Sequence, residues 1–178
     1  ERAFIGRAFP LPAPSAPDHA LGIVLETAIG RGPGSRLWRL RAEDRLAYTV
    51  DARLTWTRGG GVLEVFLETS ADKAGRAEEA LDGVLERLRS DGLADGELEA
   101  AKAMAAAGHL RAVEGKAARL RLLAGFEVLG LGFGHVAGLA GALDAVTAEA
   151  LDAYIESVLA PGRAMRVFVG PAGPAERK

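Results

Sequence analysis

Residues 48–69, YTVDARLTWTRGGGVLEVFLET, alternate apolar and polar side chains, turn on a glycine cluster, and return. Tyr48, Val50, Ala52, Leu54 and Trp56 share one face of an extended chain, while Thr49, Asp51, Arg53, Thr55 and Thr57 share the other. Arg58-Gly59-Gly60-Gly61 supplies the turn and Val62 to Thr69 the second strand. A period of two on both sides of such a turn predicts an antiparallel hairpin with one buried face. Whatever flanks the hairpin must cover that face.

Upstream, Ala3 to Phe9 is largely apolar on both alternating faces and predicts a strand inside a sheet. The Pro-rich stretch Pro10 to Pro17 is expected to end it, with Ser15, Pro17 and Asp18 starting a helix. Leu21, Val24, Leu25, Ala28 and Ile29 fit the spacing of a buried helical face, and Gly30 is its stop. After the turn residues Gly30 to Gly34, Ser35 is the expected cap of a short helix through Leu37, Trp38, Leu40 and Arg41.

Downstream the pattern is helical. Ser70 is the expected cap of a helix with Ala74, Ala77, Leu81, Val84, Leu85 and Leu88 on its apolar face. Asp95 is the expected cap of a long helix that bends near Gly108 or breaks near Gly115, and Ala118 to Leu129 predicts another. Gly130 to Gly141 reads as a glycine-rich connection, Thr147 as the cap of a helix carrying Leu151, Tyr154, Ile155 and Val158, and Ala164 to Val169 as a last strand. The order predicts an α+β fold, an antiparallel-rich sheet with helices packed on one face.

The chain has 178 residues, 49% hydrophobic and 26% charged, which predicts a packed core and one domain over residues 1–178. Twenty-two Lys and Arg against 24 Asp and Glu leave a net charge of -2, no basis for binding nucleic acid. The longest stretch without a charged side chain, Val128 to Leu143, is shorter than the roughly 20 residues of a membrane span. The first residue is Glu1 rather than Met, so a piece of a longer chain is expected. The compartment is not fixed by the sequence; a soluble bacterial protein, cytoplasmic or periplasmic, is the expectation.

With no cysteine and three histidines, few metal chemistries are available. His19, His109 and His135 have no helical zinc spacing, and surface or capping positions are expected for them. No nucleophile elbow or P-loop occurs. The segment Ser35 to Tyr48 is more informative. Arg41 leaves a short helix and Tyr48 opens a strand seven positions later. A guanidinium fork suits a carboxylate or peptide carbonyl, and a phenol at a strand start can donate to a developing oxyanion. On the residues alone, a surface ion pair for Arg41 and a half-buried core position for Tyr48 stand beside that reading.

Four stretches together resemble the pitrilysin/insulinase family of zinc peptidases, whose relatives include the mitochondrial processing peptidase: Gly32-Pro33-Gly34-Ser35-Arg36-Leu37, Leu40-Arg41 through Leu46-Ala47-Tyr48, Glu97-Leu98-Glu99-Ala100-Ala101-Lys102, and Ala145-Val146-Thr147. The chain resembles the C-terminal, non-zinc half-domain, from about Ala3 to Gly170. The resemblance implies a clamshell of two homologous halves in which the other half carries an H-x-x-E-H zinc site and its general base. It implies that Arg41 holds substrate backbone or carboxylate and that Tyr48 donates to the scissile carbonyl oxygen. No metal site is then expected in this chain, and the zinc-bearing half, on the same polypeptide or a partner subunit, and a peptide substrate are its expected partners. A non-proteolytic binding or structural subunit of the same fold is the alternative. Asp44 stands where the family often has a basic or amide residue, and Arg45 where glycine is usual.

Overall fold

A computed structural model describes residues 1–171. Four antiparallel strands form one sheet: β1 (Arg2–Leu11), β2 (Thr49–Thr57), β3 (Gly60–Ser70) and β4 (Met165–Val169), in the order β2-β3-β1-β4. Seven helices accompany them: α1 (Ala16–Gly30), α2 (Trp38–Ala42), α3 (Ala74–Asp91), α4 (Asp95–Glu114), α5 (Lys116–Leu129), α6 (His135–Asp144) and α7 (Ala148–Val158). A turn of 3-10 helix, Ala71–Lys73, leads into α3. The hairpin therefore forms as its alternation predicts, with Trp56 opposite Gly61 and Val50 opposite Leu67.

One sheet face carries the core. Ile5, Phe9 and Leu11 of β1, Ala52 of β2, and Leu63, Val65 and Leu67 of β3 are buried together with Val24, Leu25 and Ile29 of α1 and Leu81 and Leu88 of α3. Each of these side chains except Ala52 contributes roughly 1.5–3 kcal/mol on leaving water, before entropy is counted. The opposite face is polar along β2 but apolar along β1 and β4, where Phe4, Val167 and Val169 are exposed. Phe4 stacks on Phe66 there, with ring centroids 6.2 Å apart.

Several boundaries differ from the sequence expectation, each for a local reason. β1 continues through Pro10, which sits opposite Val62. Its partnership with β4 covers only Phe4 to Ala8, so the missing proline N–H falls where β1 is already an edge. α6 forms inside the glycine-rich stretch expected as a connection, because Val136, Leu139 and Leu143 give it a buried face and glycine is only weakly unfavourable in a helix. β2 begins at Thr49, one residue after Tyr48. Ser35 caps no helix; its hydroxyl donates to Gly32 O. The cap position of α4 is Ala94, not Asp95, and Glu97 Oε2 accepts from Ala94 N at 3.0 Å. Ser70 precedes α3 without a side-chain cap bond. The long helix breaks at Gly115, where α4 ends and α5 begins. Ser15 and Thr147 cap α1 and α7 as expected, accepting from Asp18 N and Ala150 N.

Candidate functional site

The segment between α1 and β2 is built as a rigid mount. At the end of α1 the last carbonyls lack helical donors. Arg36 N and Leu37 N supply them, donating to Ala28 O and Ile29 O at 2.9 Å each. Leu37 is fully buried beneath this turn. Arg36 grips Glu97 with both arms, Nε at 2.7 Å and Nη2 at 2.6 Å, and Nη2 also donates to Gly92 O. The guanidinium holds the Glu97 carboxyl below its ordinary range. The Ser-Arg-Leu and Glu-Leu stretches, distant in sequence, are thus two halves of one clamp that ties the turn before α2 to the junction of α3 and α4.

α2 then delivers Arg41 to the surface. Leu40 is buried and anchors the helix, while Arg41 lies on the solvent side with its guanidinium over the Trp38 ring, 4.8 Å from the centroid. The chain folds back at once: Leu46 N and Ala47 N both donate to Leu40 O, at 2.8 and 3.3 Å. Arg41 follows the acceptor and Tyr48 follows the second donor, so one carbonyl draws the backbones carrying these two residues together. Tyr48 N donates to Glu68 O at 2.8 Å, and its side chain is 57% exposed, with the Arg2 guanidinium 5.7 Å from the ring centroid. The half-buried core position considered for Tyr48 is therefore not the one it takes. Nor is Arg41 in a described ion pair; Trp38 is its neighbour. Arg41 and Tyr48 share no hydrogen bond among the described residues, and both tips face solvent.

The reversal needs an unusual backbone. Arg45 has φ +52°, the only non-glycine residue with positive φ among the described residues. A left-handed conformation favours glycine, so the reversal holds a side-chain-bearing residue where glycine would sit without strain. Beside α2, on the side away from Arg41, lies an open cleft of about 550 Å³ between Arg36, Arg39 and Asp44 on one wall and Val84, Arg87 and Glu97 on the other.

The model for the peptidase M16 inactive domain matches residues 1–105, which include α1, the Arg36 clamp and the Arg41–Tyr48 reversal. The chain belongs to the M16 inactive-domain family. Among curated proteins none matches the sequence. The M16 inactive domain from Pseudomonas fluorescens superposes with a TM-score of 0.86 at 20% identity, over 97% of this chain and 41% of that one. A protease from Helicobacter pylori gives 0.86 at 17%, over 96% and 41%. The inactive peptidase domain of a proposed zinc protease from Bordetella parapertussis gives 0.85 at 15%, over 98% and 96%. The chain thus spans about two fifths of the Pseudomonas and Helicobacter chains and nearly all of the Bordetella one. At these identities the likeness establishes the fold, the half-domain architecture that the resemblance implied.

The histidines of this M16 inactive domain are not where spacing placed them. His19 is buried on α1, not at the surface, and its Nδ1 lies 3.0 Å from His135 Nε2 at the start of α6. Its ring is enclosed by Trp56, Phe126 and His135, with centroids 5.0, 5.1 and 4.9 Å away. His109 Nε2 lies 2.9 Å from Val136 O. Burial, then the proximity of His135 and His109, pushes His19 down from 6.5 to about 4. His135 is lowered by burial and by His109. These nitrogens bond to one another and to backbone, and among the described residues no three His, Cys, Asp or Glu side chains gather to hold a metal ion. The described residues do not fit a zinc centre. Among the described residues no helix is long and apolar enough to cross a membrane.

Proposed function

We propose that this M16 inactive domain is the substrate-binding half of a zinc peptidase, closing over a peptide held against a homologous zinc-bearing half. The observation that carries the reading is the reversal at Leu40 O, which presents two solvent-facing groups of complementary chemistry from a clamped mount. Arg41, stacked on Trp38, keeps its forked donors available for a peptide carbonyl or carboxylate. Tyr48 presents a phenol that can donate to the scissile carbonyl oxygen as negative charge develops there; such a donor is worth roughly 10²–10³ in turnover where its geometry is fixed. The metal and general base belong to the partner half, on the same polypeptide or a separate subunit.

A second feature supports a partner. Phe4, Phe66, Val167 and Val169 form an apolar strip on the sheet face opposite the helices, a surface suited to burial against another domain. That strip serves equally a clamshell without proteolysis, so Arg41 and Tyr48 carry the distinction between peptidase and scaffold.

The test is turnover of a quenched fluorescent peptide library by the complete enzyme, this domain with its zinc-bearing half. Arg41→Ala and Tyr48→Phe are expected to lower kcat/KM at least tenfold with unchanged thermal melting. Unchanged kcat/KM in both variants would return the two residues to surface roles and leave the scaffold reading.

A further inference from the structure

The Arg41–Tyr48 reversal is not self-supporting. Glu43, Asp44 and Arg45 are all exposed, so no packing of their side chains shapes the loop. Glu43 N and Asp44 N donate to Arg39 O, Leu46 N and Ala47 N to Leu40 O, and Tyr48 N to Glu68 O. Its carbonyls are met from elsewhere. Thr69, on the core-facing side of β3 and 1% exposed, donates its hydroxyl to Leu46 O at 2.6 Å. Lys73, on the 3-10 turn that follows β3, donates Nζ to Arg45 O at 3.2 Å. Two successive carbonyls immediately before Ala47-Tyr48 are therefore strapped by side chains four residues apart, one at the end of β3 and one on the turn that follows it.

We propose that Thr69 is a positioning residue for Tyr48, with Lys73 as its outer support. This rests on the reading of Arg41 and Tyr48 as substrate-facing groups. Thr69 touches neither of them; it fixes the peptide plane from which the Tyr48 strand leaves the loop. Leu46 and Ala47 are buried, so the strap seats them and leaves Tyr48 pointing outward. The left-handed Arg45 sets the demand for it: a non-glycine residue at φ +52° relaxes toward the ordinary region unless neighbouring atoms hold it. A donor displaced by about 1 Å from a reacting oxygen loses on the order of 10²-fold in rate, so loosening this plane reaches turnover without any contact to substrate.

Thr69→Val keeps the side-chain volume and removes the donor; Thr69→Ser restores it. In the complete enzyme acting on the quenched peptide library, Thr69→Val is expected to lower kcat/KM about tenfold, and Thr69→Ser to stay within threefold of the parent. The deciding comparison is the Tyr48→Phe background, where Thr69→Val is expected to add little, because the group it positions has gone. An equal loss in both backgrounds would make Thr69 merely structural and overturn the proposal. If Arg41→Ala and Tyr48→Phe themselves leave turnover unchanged, the functional reading fails separately. Amide hydrogen exchange then decides the strap: at least tenfold faster exchange at Leu46 to Tyr48 in Thr69→Val, with the rest of β2 and β3 unchanged, upholds it, and parental exchange overturns it.

Discussion

His135 Nε2 lies 3.0 Å from His19 Nδ1, a hydrogen bond that needs a proton on one nitrogen and a lone pair on the other. The contact latches α6 to α1 only while at least one imidazole is neutral. Nearby carboxylates are engaged elsewhere: Asp18 accepts from Ser15 Oγ, Glu26 from Arg31 and Leu54 N, and Glu127 from Phe133 N. Folded His19 titrates near 4 against 6.5 ordinarily, so between those values the unfolded chain binds more protons than the folded one. Stability is therefore complete above about pH 6.5 and falls as pH drops toward 4, by on the order of 3 kcal/mol for His19 alone. Thermal melts at pH 7, 5.5 and 4.5 should show a progressive fall, and His19→Phe should flatten it. A parent melting temperature independent of pH across that range would remove the latch.

Glu78 makes the complementary acid-side prediction. Its carboxylate receives Arg7 Nη2 at 2.8 Å and Arg166 Nε at 2.5 Å, joining β1, α3 and β4. The bond from Arg166, then that from Arg7, holds Glu78 near 2, so its contribution is present above about pH 4.5 and is lost only as pH falls toward 2. Asp82 receives the same Arg7 nitrogen at 2.8 Å but is 52% exposed against 18% for Glu78. Glu78→Ala leaves the buried Arg7 with the Gly6 carbonyl and only the solvent-screened carboxylate of Asp82, so a loss of about 2–3 kcal/mol is expected, against under about 1 for Asp82→Ala. Urea unfolding of both variants checks the ranking; equal losses would contradict it.

The sequence made the sheet legible because the hairpin's alternation is local, and the α1 stop at Gly30 because glycine marks it. Other features depend on residues that meet only in three dimensions. His19 and His135 are 116 positions apart, and no spacing rule joins them. One signal did exist: Asp18 and Glu26 are the only charged residues in α1, leaving no polar face and implying that His19 is enclosed. α6 is masked in the sequence because its glycines outweigh its Val136-Leu139-Leu143 spacing. At the candidate site Arg41 and Tyr48 were legible as a pair, whereas Thr69 looks like any strand threonine until its hydroxyl is seen on Leu46 O.

Gly30 carries a packing requirement in addition to its stop role. A Cβ there would collide with Ala52 N on β2 and come within 2.7 Å of the Ala52 Cβ. Both residues are buried, and backbone cannot yield as a flexible side-chain tip can. Gly30→Ala should therefore push α1 off the sheet and cost about 2 kcal/mol or more, despite alanine's better helix propensity. The contrast is Gly138→Ala in α6, where an added Cβ meets nothing within 4 Å and a gain of about 0.5–1 kcal/mol is expected. Denaturant midpoints of the two variants should move in opposite directions.

Arg45→Gly tests the reversal from the opposite side. Arg45 is exposed, and its left-handed φ of +52° costs roughly 1–2 kcal/mol relative to glycine. Glycine's greater freedom in the unfolded chain returns roughly 0.5–1 kcal/mol of that. The net expectation is a stabilisation of up to about 1 kcal/mol, read as a raised urea midpoint with unchanged slope. The Lys73 bond goes to the Arg45 carbonyl, which glycine retains, so the strap is undisturbed. Amide exchange at Leu46 to Tyr48 should slow or hold constant in this variant. Faster exchange there, or a lowered midpoint, would mean that the Arg45 side chain itself sustains the loop, and the backbone account of how Tyr48 is mounted would have to be replaced by one built on that side chain.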